Sequence, residues 1–163
     1  MNGTRPEERM TTAFDVPAFP LLQRVAEHLR SEGKVSEPDW APFARTGVHT
    51  EKAPVQKDWW FLRTAAVLRK VYVLGPIGTS RLAAEFGGAR DGGSAPYHPR
   101  KGSRNIVRSA LQQLEEAGYV AVREKRGRIV TASGRKLLDR LAYDVLITIA
   151  KTNPQMMKYA RVK

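Results

Sequence analysis

Lys101, Arg104 and Arg108 fall within eight residues of one another in "KGSRNIVRSALQQLE". Arg104 and Arg108 are four apart and share a helix face, which Lys101 joins if the helix begins early. Cations grouped in this way bind phosphate through charge-assisted hydrogen bonds. The stretch before them, "GGARDGGSAPYHPR", adds Arg90 and Arg100. Its glycines let a backbone approach a phosphate closely. Tyr97 and His98 are flat groups able to stack on an unpaired base. A third cluster, Arg63, Arg69 and Lys70, lies in "DWWFLRTAAVLRKVY". Adjacent helix positions point about 100° apart. Trp60 is therefore expected in the core, and Trp59 partly exposed as a stacking platform.

Covalent chemistry finds no equivalent grouping. The chain has no cysteine, and His28, His49 and His98 lack ligand spacing. "GGARDGG" matches a phosphate-cradling loop in glycine count alone, without the Gly-Lys-Ser/Thr ending. Glu115, Glu116 and Asp139 fall on helices beside arginines, where solvated salt bridges are expected. No metal, cofactor, small-molecule substrate or catalytic residue is predicted.

Charge points the same way. The 163 residues carry a net charge of +12. Residues 1–58 hold 8 Lys/Arg against 9 Asp/Glu, and residues 59–163 hold 20 against 7. An excess confined to the last two thirds indicates a polyanionic partner. No apolar run approaches the roughly 20 residues of a membrane span. The N-terminus lacks the apolar core of a signal peptide. A soluble intracellular protein without a membrane partner is the expectation.

These side chains need elements to hold them. Apolar spacing predicts helices over 17–30, 59–74, 80–86, 104–117 and 134–151, with a short one after Pro38. Asp15, Asp58, Thr79 or Ser80, Ser103 and Ser133 are the expected caps. "YVAVREKRGRIVTA" alternates around a turn at Lys125–Gly127 and reads as a β-hairpin. Residues 1–14 read as a flexible arm, 15–151 as one domain and 152–163 as a basic tail. A short helix, a second helix and a two-stranded ribbon make the order of a winged helix-turn-helix. The predicted fold is mainly α, with a winged-helix-like core, a small hairpin wing, and extra N- and C-terminal helices. An ordinary helix-turn-helix joins its helices in 3–4 residues. Here the join runs from Gly87 to Gly102 and is expected to be a long loop. That length, and the lack of a dimerisation segment, count against the alternative of a DNA-binding regulator.

Six blocks carry a resemblance: "PDWAPFARTGVHTEKAP", "DWWFLRTAAVLRKVY", "GPIGTSRLAAEFGG", "PYHPRKGS", "IVRSALQQLEEAG" and "GRIVTASGRKLLDRLA". Together they resemble the "nineteen-e" family of small-subunit ribosomal proteins, found in archaea and eukaryotes. The Trp59-Trp60 pair and "LQQLEEAG" resemble the archaeal branch. The resemblance implies a mostly helical, non-catalytic protein in the head of the small ribosomal subunit. It would be cytoplasmic and ribosome-bound, would support subunit maturation, and would be a monomer when free. Its partners would be ribosomal RNA and neighbouring small-subunit proteins. Carried over by position, RNA-facing roles fall on Arg63, Arg69, Lys101, Gly102, Ser103, Arg104 and Arg108. Thr79, Ser80 and Arg104 depart from the usual family pattern.

Overall fold

A computed structural model describes residues 11–153 and 155. Among them lie five α-helices: α1 (Ala18–Glu32), α2 (Trp59–Leu74), α3 (Thr79–Glu85), α4 (Arg104–Glu116) and α5 (Ala132–Thr152). A single 3₁₀ turn, Ala41–Phe43, stands where a short helix was expected. The expected tail falls largely outside the described residues. Ala13, expected in the N-terminal arm, is buried.

Helix α2 is central and packs against α1, α4 and α5. Its burial explains a correction at the tryptophans. Both are core: Trp59 is 6% exposed and Trp60 fully buried. The 100° between them does not separate core from solvent, because partners surround the start of α2. Trp60 meets the edges of Trp40 and Trp59, with centroids 5.4 and 5.6 Å away. Its Nε1 donates to Gln113 Oε1 at 3.0 Å, and Gln113 Nε2 donates to the Ser36 carbonyl at 2.8 Å. The central helix, α4 and the chain after α1 are thereby pinned together.

The apolar face expected of α4 is buried as spaced: Ile106, Val107, Ala110, Leu111 and Leu114. Ser103 caps it, accepting from the Ile106 amide. Gly118 leaves it with φ 78°, a left-handed turn that suits glycine. The expected hairpin follows as β3 (Val120–Arg123) and β4 (Gly127–Val130), with Val120 opposite Val130. Ile77, before α3, exchanges backbone hydrogen bonds with Arg128 at 3.0 and 3.1 Å. This sets an isolated bridge beside the two-stranded ribbon.

The other caps differ. Pro17 precedes α1, and Asp15 instead accepts from the Thr12 amide and hydroxyl. Gly78, not Thr79 or Ser80, precedes α3. Thr131, not Ser133, caps α5, and Ser133 donates to the Gly118 carbonyl. Asp58 precedes α2 but spends its carboxylate on Arg30 at 2.9 Å. Among the described residues Asp139 makes no salt bridge. It accepts from the Tyr72 hydroxyl at 2.9 Å and the Ala13 amide at 3.2 Å.

The Gly87–Gly102 segment is the largest correction. It is not a loop but an antiparallel hairpin, β1 (Gly88–Gly92) and β2 (Ala95–Arg100), closed by a turn in which Gly93 takes φ 76°. Pro96 and Pro99 lie in β2, although proline cannot donate to a ladder. In an isolated two-stranded ribbon each strand keeps a free edge, so that objection does not hold. Both strands are exposed beyond Gly88. The result is an arm about 15–20 Å long.

Candidate nucleic-acid interface

The arm is rooted in backbone-to-backbone packing. Gly102 pairs with Gly47 across an antiparallel bridge. The Gly102 amide donates to the Ala83 carbonyl at 2.8 Å, and the Ser103 amide to the Thr46 carbonyl at 2.9 Å. The segment before α2, the end of α3 and the start of α4 therefore meet at one point. His49 wedges into it. A Cβ built on Gly47 would stand 2.7 Å from the imidazole, and one on Gly88 would stand 2.9 Å from it. The glycines here admit other protein atoms, where the sequence suggested phosphate. Gly102, expected among the RNA-contacting residues, is buried.

A double substitution tests the wedge. Gly88→Ala alone should destabilise the protein by about 1 kcal/mol, because the three atoms nearest its new Cβ all belong to the His49 ring. In a His49→Ala background that penalty should disappear, a coupling seen in thermal melts of the four variants. Additive losses would mean that the ring does not hold the arm.

The register sorts the arm's side chains. Arg90 stands opposite His98, and Gly88 opposite Arg100. Alternation then puts Arg90, His98 and Arg100 on one face, and Tyr97 with Pro99 on the other. Tyr97 is 65% exposed, and its hydroxyl reaches Asp91 at 3.5 Å. Tyr97 and His98 thus offer two separate flat surfaces, not one stack. At the arm's foot, Lys101 and Arg104 are exposed, as is Arg108 one turn along α4. Among the described residues no carboxylate pairs with Arg90, Arg100, Lys101, Arg104 or Arg108.

The cations of α2 divide differently. Arg63 and Lys70 share a side of the helix facing α3 and the root of the arm. The Arg63 guanidinium lies 4.6 Å from the centre of the Phe86 ring. Burial pushes its pKa below the ordinary arginine range. Lys70 is ion-paired with Glu85 at 2.7 Å, so its charge is largely offset. Arg69 stands about 120° around the helix from Arg63. It is half-buried, and its Nε has no hydrogen-bond partner. Trp59 is only 6% exposed, so it is not the open stacking platform expected. Four of the expected site residues thus differ in kind: Arg63 is inset, Lys70 paired, Arg69 turned away and Trp59 covered.

Cations outside the expected set gather at the second hairpin. Arg81, Lys125 and Arg126 line a 470 Å³ concavity with Ser80 and Gly78. The run "REKRGR" was the available signal, but only the approach of Ile77 to Arg128 brings Arg81 beside it. Among the described residues no His, Cys, Asp or Glu group could hold a metal ion, and no helix is long and apolar enough to cross a membrane.

Known proteins are similar to this chain. The family model described as Ribosomal protein S19e matches residues 12–148. A protein of Thermoplasma acidophilum named small ribosomal subunit protein eS19 is 42% identical, over 92% of this chain and 99% of its own length. The protein of that name from Haloarcula marismortui is 44% identical, over 93% of this chain and all of its own. The eS19G protein of Ascaris suum is 37% identical, over 82% and 91%. Near-complete coverage from both sides, with higher identity to these archaeal relatives than to the nematode one, shows that the chain belongs to the Ribosomal protein S19e family.

Proposed function

We propose that the protein is a non-catalytic structural constituent of the small ribosomal subunit that binds ribosomal RNA and supports subunit assembly. It works in the cytoplasm, bound to the ribosome, beside other small-subunit proteins, and is a monomer when free. The observation that carries the RNA reading is the unpaired cationic strip of Lys101, Arg104 and Arg108 at the foot of an exposed arm bearing Arg90 and Arg100. Such a strip clamps phosphates and reads shape. The core is a winged-helix variant, with α4 in the recognition position and β3–β4 as the wing. The bridge from Ile77 to Arg128 supports this, because it stands in the place of the short third strand beside such a wing. The first hairpin replaces the usual tight turn.

Arg104→Glu is the direct test. Affinity for small-subunit RNA should fall about tenfold, with the loss shrinking as salt rises. Thermal stability should hold or rise slightly, because a carboxylate suits the first turn of a helix better than a guanidinium does. A matching loss of stability would make Arg104 a structural residue and remove it from the interface.

A further inference from the structure

A groove of 510 Å³ opens between α1, α2 and the root of the arm. Its volume lies within the range of small-molecule sites. Phe19, Leu22, Trp59, Leu62 and Phe86 make its walls. Phe19 is 59% exposed, although it stands on a helix whose other face is core. The charged groups lining the groove are two cations, Arg63 and Lys52, and no carboxylate. Among the described residues Arg63 has neither ion pair nor hydrogen bond, and its guanidinium lies against the Phe86 ring. No Arg63 nitrogen is both buried and unpartnered, so the guanidinium stays open at the groove to water and to an arriving anion. Thr46, Thr50 and Gln56 supply hydroxyls and an amide at the lining. The Thr46 carbonyl holds the Ser103 amide, so the rim adjoins the cationic strip.

We propose that this groove receives one unpaired nucleotide of the bound RNA, its base against the apolar walls and its phosphate on Arg63 and Lys52. The inference rests on the RNA-binding reading and gives it a defined subsite. Apolar walls, an anion receptor and adaptable hydrogen-bonding groups are the parts a splayed-out base requires. Charge alone would also suit an acidic peptide. Continuity with the Lys101–Arg104 strip favours the nucleotide, since a strand lying on that strip passes the mouth of the groove. Gln56 can donate to and accept from a base edge.

The test is a methyl-detected NMR titration of the full chain with adenosine monophosphate, adenosine, inorganic phosphate and an acidic leucine-containing peptide. Adenosine monophosphate should shift the Leu22 and Leu62 methyls, adenosine should shift them less, and phosphate alone should leave them in place. Phe19→Ala should weaken binding of an oligoadenylate hexamer about five- to tenfold, the scale of one lost base–aromatic stack, without lowering the melting temperature. Methyls that respond to the peptide but not to the nucleotide would overturn the proposal in favour of a protein partner. Methyls that respond to neither would also overturn it. If Phe19→Ala binds small-subunit RNA normally while Arg104→Glu does not, the groove assignment fails and the RNA reading stands. If neither variant differs from wild type, the RNA reading itself fails.

Discussion

Gly102→Ala is expected to lower the melting temperature by about 10 °C. A Cβ at this position would lie 2.6 Å from the Phe86 carbonyl oxygen and 3.1 Å from its carbon. The obstacle is backbone, so no rotamer change can relieve it. Phe86 ends α3 by donating its amide to the Leu82 carbonyl, and the Gly102 amide is held by the Ala83 carbonyl. Relief therefore requires α3 and the start of α4 to separate. Overpacking of this kind costs about 3 kcal/mol, and each kcal/mol moves the melting point of a chain this size by about 3 °C. Calorimetry on the variant gives the answer. An unchanged transition would show that the helices tolerate a wider gap, and the rooting of the arm would lose its physical basis. The arm's amides in β1 and β2 should also exchange faster in this variant, because their anchor is the strained contact.

The second large effect is on binding. Reversing Lys101, Arg104 and Arg108 together, each to glutamate, should weaken binding to small-subunit RNA by roughly a thousandfold near 0.1 M salt. That corresponds to about 1.4 kcal/mol, or tenfold, for each cation. The slope of log affinity against log salt should become shallower by about 2–3, since each phosphate contact contributes about 0.7–0.9. The three residues are exposed, and among the described residues no acid pairs with them. The fold should survive, with an unchanged circular dichroism spectrum. Filter binding at four salt concentrations separates this from a general loss of charge. The control is the same reversal at Arg24, Arg30 and Lys34, which already pair with Glu27, Asp58 and Glu32. Equal losses from the two triple variants would mean that binding follows net charge and not this surface.

The two experiments probe different levels of one design. Gly47, Gly88, Gly102 and His49 set where the arm leaves the body, and the cations set what it meets. The first level is dry packing, insensitive to salt. The second is counterion release and falls as salt rises. A variant that loses affinity equally at all salt concentrations has moved the arm, and one whose loss shrinks with salt has removed a contact.

Much of this protein was legible in its residues. The apolar spacing of Ile106, Val107, Ala110, Leu111 and Leu114 marked the buried face of α4, because a 3.6-residue period brings those positions together whatever packs on them. Ser103 marked where that helix begins, and Gly118 where it ends. Local rules carry such information, since each acts within one turn or one hairpin. What lay beyond them was decided by partners distant in the chain. Trp59 is buried because α1 and residues 46–56 close over the start of α2, and helix periodicity cannot register that cover. Lys70 is neutralised by Glu85 and Arg63 is inset over Phe86, although in the sequence both look like ordinary surface cations. The glycines of the Gly87–Gly102 segment suggested room for a phosphate. Tertiary contact made Gly87, Gly88 and Gly102 the points where His49 and the end of α3 press against the root of a hairpin.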